Sequence, residues 1–145
     1  MGSCTKCGCD LLMGSGRCLT CVKKAGLPNN PKIYMASKVK HAHLWKSLRS
    51  EGYNIISTWI DETEENSTVD YVELSERCIA EITEADVTLL YVESEDVPIG
   101  ALIEAGAALA VGKRVHLVGE CTSVNKVFRK HPNWFEFDNI ESAIS

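Results

Sequence analysis

No stretch of this 145-residue chain approaches the ~20 consecutive apolar residues that a bilayer-spanning helix needs. The opening residues, MGSCTK, hold no apolar signal core, and Lys6 stands where lipidation at Gly2 would want Ser or Thr. A cytoplasmic protein without membrane contact is therefore expected. The chain also lacks GxGxxG, GxxxxGK followed by Ser or Thr, and GxSxG. That removes the dinucleotide fingerprint, the phosphate-binding P-loop and the nucleophile elbow. Histidine offers no metal site of its own. His41 and His43 lie among lysines, His131 precedes Pro132, and His116 sits in an apolar run that reads as core. Proline is scarce: two of the four fall in residues 26–31, where they mark a linker.

What is abundant comes first in the chain. Five of the seven cysteines fall within eighteen residues, as Cys4-x-x-Cys7-x-Cys9 and Cys18-x-x-Cys21. Two CxxC pairs can each aim both sulfurs at one tetrahedral ion. Residues 1–25 are therefore expected to form a zinc-ribbon-like segment, with structural Zn²⁺ on Cys4, Cys7, Cys18 and Cys21. Cys9 is the spare, Cys78 and Cys121 are expected as free thiols, and no cofactor is expected for catalysis. The charge is lopsided. The first fifty residues carry +8 and the remainder −13, within a net charge of −5. No aromatic residue interleaves with the basic ones before Tyr34, so a local phosphate contact is expected in preference to a nucleic-acid surface.

Residues 32–145 alternate between short apolar runs and helical patterns. Strands are expected at 32–37, 53–58, 87–92, 114–119 and 134–137. Helices are expected at 38–51, from Ser67 or Thr68 to 83 with Val72, Ser75, Ile79 and Ile82 inward, at 100–111, and after a cap at Asp138. That order predicts an α/β domain with a doubly wound parallel sheet of about five strands and helices on both faces. Ligands of such sheets bind beyond the carboxyl ends of the strands. Ser37, Lys38, Trp59, Asp61, Glu93, Glu95, Asp96 and Gly119 follow strands and belong at that end. Asp86 precedes its strand and belongs at the other.

One carboxylate stands out. Residues 100–111, GALIEAGAALAV, are small or apolar except for Glu104. A charge there costs several kcal/mol unless it is paired or faces a wet pocket. Glu104 is therefore either a structural partner of a buried group or a catalytic acid, base or nucleophile.

The segments KIYMAS at 32–37, STWID at 57–61, EADVTLLYVE at 84–93, GALIEAGAALAVGKRVHLVG at 100–119 and the ending NKVFRKHPNWFEFDNIESAI resemble the nucleoside 2-deoxyribosyltransferase superfamily. The resemblance covers about residues 31–144 and not the cysteine segment. It implies a flavodoxin-like fold and cleavage of an N-glycosidic bond, with the sugar passed to another base or to water. It maps the catalytic Glu onto Glu104, the strand-one Tyr onto Tyr34, and a base-holding acid onto Asp86 or a neighbour. Those transferases carry an Asp six residues before the Glu; this chain has Pro98 there, and Asp96 is the nearest acid. Asp96 or Asp86 is therefore expected to protonate the leaving base, while Tyr34 positions Glu104 by a hydrogen bond. Beside this stand the expected substrate contacts. Ser37 and Lys38 would take a 5′-phosphate and Trp59 would stack on the base, with Asp61 and Gly100 nearby. Members of the superfamily often complete the site from a neighbouring subunit, so a homo-oligomer is expected, with Asn125 as a candidate contributor. The competing readings are an NAD glycohydrolase-like enzyme and a non-catalytic nucleotide-sensing or adaptor domain.

Overall fold

The computed structural model describes residues 27–145. The expected zinc ligands Cys4, Cys7, Cys18 and Cys21 lie outside the described residues, as does most of the expected division between ribbon and main domain. Among the described residues four parallel strands pair in the order β1 (Ile33–Ala36), β2 (Val87–Val92), β3 (Arg114–Gly119) and β4 (Trp134–Phe137). The helices are α1 (Ala42–Ser50, entered through a 3-10 turn at Val39–His41), α2 (Tyr71–Glu84), α3 (Ile99–Ala110), α4 (Lys126–Arg129) and α5 (Ile140–Ile144). None is long and apolar enough to cross a membrane.

The strands read as apolar runs because both faces of the sheet are covered. Ile33, Met35, Val87, Leu89, Leu90, Val115 and Leu117 are fully buried. The α3 helix packs on the sheet through Ala101, Ala105 and Ala108, whose small side chains let the helix axis approach the strands. Gly112, at φ 77°, ends that helix.

The expected strand at 53–58 contributes only a single bridge, Ile33 to Ile55. Its ladder stops because side chains take over the backbone of Met35. The Ser57 hydroxyl accepts from Met35 N at 3.1 Å, and the Trp59 indole N–H donates to Met35 O at 2.8 Å. The chain then turns into the 3-10 segment Thr58–Asp61 instead of continuing beside β1.

Helix boundaries also differ from expectation. The α2 helix is capped by Asp70, whose Oδ1 accepts from Val72 N at 3.0 Å and Glu73 N at 3.1 Å. Ser67 is spent on a turn, donating to Glu64 O. With the start moved to Tyr71, the inward face becomes Leu74, Cys78 and Ile82; Val72 and Ile79 are exposed. Asn139, rather than Asp138, caps α5 by accepting from Ser142 N. The polar connection after β3 contains α4, capped by Asn125.

The route from β1 goes outward to Ile55 and then back across to β2. The chain reverses its direction of winding between β1 and β2. The crevice at their carboxyl ends is thus a topological switch point, where this architecture binds ligands.

Candidate active site

A cleft of about 610 Å³ opens at those strand ends. Ser37 and Lys38 approach it from the end of β1, Trp59 and Glu62 from the turn after Ile55, and Tyr71, Leu74, Cys78 and Ile79 from α2. Pro98, Ile99, Gly100, Ile103 and Glu104 close it from α3. A second hollow, about 510 Å³, lies beside residues 28–31 at the opposite ends of the strands; among the described residues Glu51 is its only side-chain acid. The cleft at the carboxyl ends is the one that holds Glu104.

Glu104 lies in the second turn of α3, pointing back over β1. The Tyr34 hydroxyl donates to Glu104 Oε2. Tyr34 is fully buried in the middle of β1, so its hydroxyl sits at a fixed height. The Cys78 thiol from α2 contacts the same hydroxyl. Three elements thus converge on one carboxylate.

Burial pushes the Glu104 pKa up to about 7 from its ordinary 4.5; the Tyr34 hydrogen bond pulls it back down in part, and the charge of Glu81 adds to the rise. The positive end of a helix acts mainly within its first turn, and Glu104 is beyond it. Burial, joined by the Glu104 charge and the Cys78 contact, drives the Tyr34 phenol far above its ordinary range. Burial also raises the Cys78 thiol, with the charges of Glu104 and Glu81 adding to the rise and the Tyr34 bond opposing it.

The other expected residues divide. Ser37, Lys38, Trp59 and Gly100 line the cleft with Glu104. The Ser37 hydroxyl is engaged within the chain, accepting from Trp45 Nε1 at 2.8 Å and donating to Lys38 O at 3.0 Å. Lys38 is exposed at the rim. Trp59 is buried and pinned to Met35, so only part of its ring reaches the cleft.

Asp61 turns away to form a bidentate pair with Arg49, at 2.8 and 2.9 Å, and that pairing lowers its pKa. Glu62, the next residue, faces the cleft in its place and meets Arg77 at 2.5 Å. Asp86 is at the far end of the sheet, where its Oδ2 accepts from Lys32 N at 2.8 Å; it does not reach Glu104's cleft. Asn125 is occupied as the α4 cap and lines a separate hollow against α3 and Trp134.

Asp96 departs most from expectation. A proton donor needs a raised pKa, and burial alone would raise this one. Yet the Glu93 N–H at 2.9 Å, His41 Nε2 at 2.8 Å and Lys40 Nζ at 3.0 Å outweigh burial and hold it well below the usual carboxylate range. Its side chain has no exposed surface and does not line the cleft. Asp96 therefore fastens the loop between β2 and α3 to the start of α1. Among the described residues no group of three or more His, Cys, Asp or Glu side chains is placed to hold a metal ion.

Sequence reasoning missed Cys78, Glu62 and Tyr71 at this cleft. Cys78 falls four residues before Ile82 and four after Leu74, so a correct helix start would have turned it inward.

Among solved structures, the chain superposes on a 2-deoxyribosyltransferase from the psychrotolerant bacterium Bacillus psychrosaccharolyticus. The TM-score is 0.57 and the identity 21%, over 74% of this chain and 86% of that one. It also superposes on the CMP N-glycosidase of Clostridium botulinum, with a TM-score of 0.52 and 18% identity over 73% of this chain and 86% of the other. At these identities the likeness is one of fold. No family model matches the chain, and no curated protein matches it in sequence.

Proposed function

We propose that the protein cleaves the N-glycosidic bond of a nucleoside or nucleoside 5′-monophosphate, passing the sugar to water or to another base. The observation that carries this reading is the Glu104 carboxylate, held on the cleft by the hydroxyl of a buried Tyr34. Breaking a glycosidic bond builds positive charge at C1′, and a fixed carboxylate beneath the ring can stabilise that charge or bond to it. Tyr34 sets the carboxylate's position and leaves its second oxygen for the sugar. Lys38 at the rim meets a 5′-phosphate. The exposed ring of Tyr71 offers the base a stacking surface, since Trp59 is committed to the core. The two structural neighbours are by name a deoxyribosyltransferase and a nucleotide N-glycosidase, which supports the same class of chemistry.

The test is release of free base, followed by chromatography, from a panel of (deoxy)nucleosides, their 5′-monophosphates and NAD. Release from at least one substrate, lost in Glu104→Ala with folding intact, is the expected result. No release across the panel would leave a nucleotide-binding domain without this activity.

The titration of Glu104 gives a further expectation. The nucleophile must be ionised, so kcat/KM should rise with pH through about 7. Tyr34→Phe removes the one hydrogen bond that lowers this pKa. The rising limb should then move to higher pH, and activity at pH 7 should fall by about tenfold, recovering in part at pH 9. A loss that is equal at every pH would show that Tyr34 acts only through packing.

A further inference from the structure

The cleft contains a carboxylate suited to attack, but the residues around it are poorly suited to protonate a departing base. Asp96, the acid nearest in sequence, is fastened as an anion to His41, Lys40 and the Glu93 N–H, outside the cleft. Glu62 faces the guanidinium of Arg77. Glu81 accepts from both the N–H and the hydroxyl of Thr58, at 3.1 and 2.7 Å, and does not line the cleft. Among the described residues, the proton carriers held against Glu104 are the Tyr34 phenol and, through it, the Cys78 thiol, both made weaker acids by burial. Tyr71 and Lys38 stand at the exposed rim of the cleft. Among the described residues, then, no carboxylic acid stands ready beside the nucleophile.

From this arrangement we infer, resting on the glycosidase reading above, that the preferred substrate is a nucleotide whose base already carries a positive charge, a pyridinium or 7-alkylpurinium N-glycoside. Such a base needs no proton to leave. The C1′–N bond breaks, its electron pair goes to the ring nitrogen and neutralises the ring, and a Glu104 oxygen forms the new bond to C1′. Water then bonds to C1′, the C1′–O pair returns to Glu104, and the water's second proton passes to solvent.

The walls fit a flat cation. Glu104 places a carboxylate on the cleft, Tyr71 offers an exposed aromatic face, and Leu74, Ile79, Ile99 and Ile103 supply apolar surface, while the charge of Glu62 is matched by Arg77. Lys38 lies at the rim, where it would meet the phosphate rather than the base. A cationic ring beside Glu104 also favours the ionised form that the reaction needs.

The experiment compares 7-methylguanosine 5′-monophosphate with guanosine 5′-monophosphate, and nicotinamide mononucleotide with CMP, using the full chain. A protein that protonates its leaving base gains about 10²–10⁴-fold from the acid and cleaves neutral bases efficiently. Here kcat/KM for the charged member of each pair should exceed that of the neutral one by about 100-fold or more. With the charged substrates, the rising limb of kcat should lie at lower pH than that of kcat/KM, because bound substrate favours ionised Glu104. Neutral and charged members cleaved within tenfold of each other would overturn the inference while leaving the glycosidase reading in place. Release of no base from any of the four, while another member of the wider panel is cleaved, would also overturn the inference alone. No release from the four or from the wider panel would overturn both.

Discussion

Glu104→Gln should lower kcat/KM for base release by on the order of 10³-fold or more, and should make the folded protein more stable above pH 7. The amide keeps the shape of the side chain and can still accept from Tyr34, but it cannot bond to C1′ as a carboxylate does. The stability change follows from the titration. Glu104 has a folded-state pKa of about 7 against an ordinary 4.5, so between those values the folded chain holds a proton that the unfolded chain has lost. Stability therefore falls as pH rises from about 4.5 to 7 and levels off above, by at most about 3 kcal/mol. The Gln variant lacks that slope. Denaturant midpoints at pH 5 and pH 8 measure it: the difference between the variant and the unaltered chain should grow toward pH 8. An inactive variant that is equally destabilised at both values would mean the activity was lost through folding. A residue kept at a cost to stability, whose removal costs activity, is the signature of a functional group rather than a packing one.

Gly119→Ala should destabilise the fold by about 3–5 kcal/mol, the largest loss expected from adding a methyl group at any glycine among the described residues. Gly119 ends β3 at φ 107°, a conformation side chains rarely adopt, and a Cβ there would lie 1.9 Å from Val92 O and 3.0 Å from Val92 C. Both atoms belong to the paired end of β2, where Val92 and Gly119 are the last register partners. Neither can move without shifting Glu93, and Glu93 starts the loop that Asp96 fastens to His41 and Lys40. That loop leads into α3 and so sets the position of Glu104. The variant should therefore also lose activity beyond what its unfolded fraction explains. A denaturation midpoint equivalent to less than 1 kcal/mol of change would show that the strand ends separate easily.

Much of the architecture was legible because it depends on burial. The apolar runs at 87–92 and 114–119 are buried on both faces and become β2 and β3 with the expected bounds. The small-residue helix carrying Glu104 appears within a residue of its expected limits, and Tyr34 lies under it. What was not legible depends on local competition for hydrogen bonds. Residues 53–58 have strand-forming side chains, but Ser57 and Trp59 claim the Met35 backbone that a second strand would have paired with. Ser67, Thr68 and Asp70 are all capable helix caps, and only the fold decides that Asp70 is used. That slip of register hid Cys78, because a helix started too early turns a different face inward. Asp61 and Glu62 differ by one place in a 3-10 turn, and that single step decides which carboxylate meets Arg49 and which meets the cleft. The role of Asp96 needed three dimensions altogether, since His41 is 55 residues away in sequence.

The most direct test of Glu104 as nucleophile is to quench the protein with acid during turnover and map the peptides by mass spectrometry. The sugar, or sugar phosphate, should be found as an ester on the peptide containing Glu104 and should be absent from Glu104→Gln. Efficient base release with the sugar attached to a different residue, or with turnover undiminished in Glu104→Gln, would contradict the account.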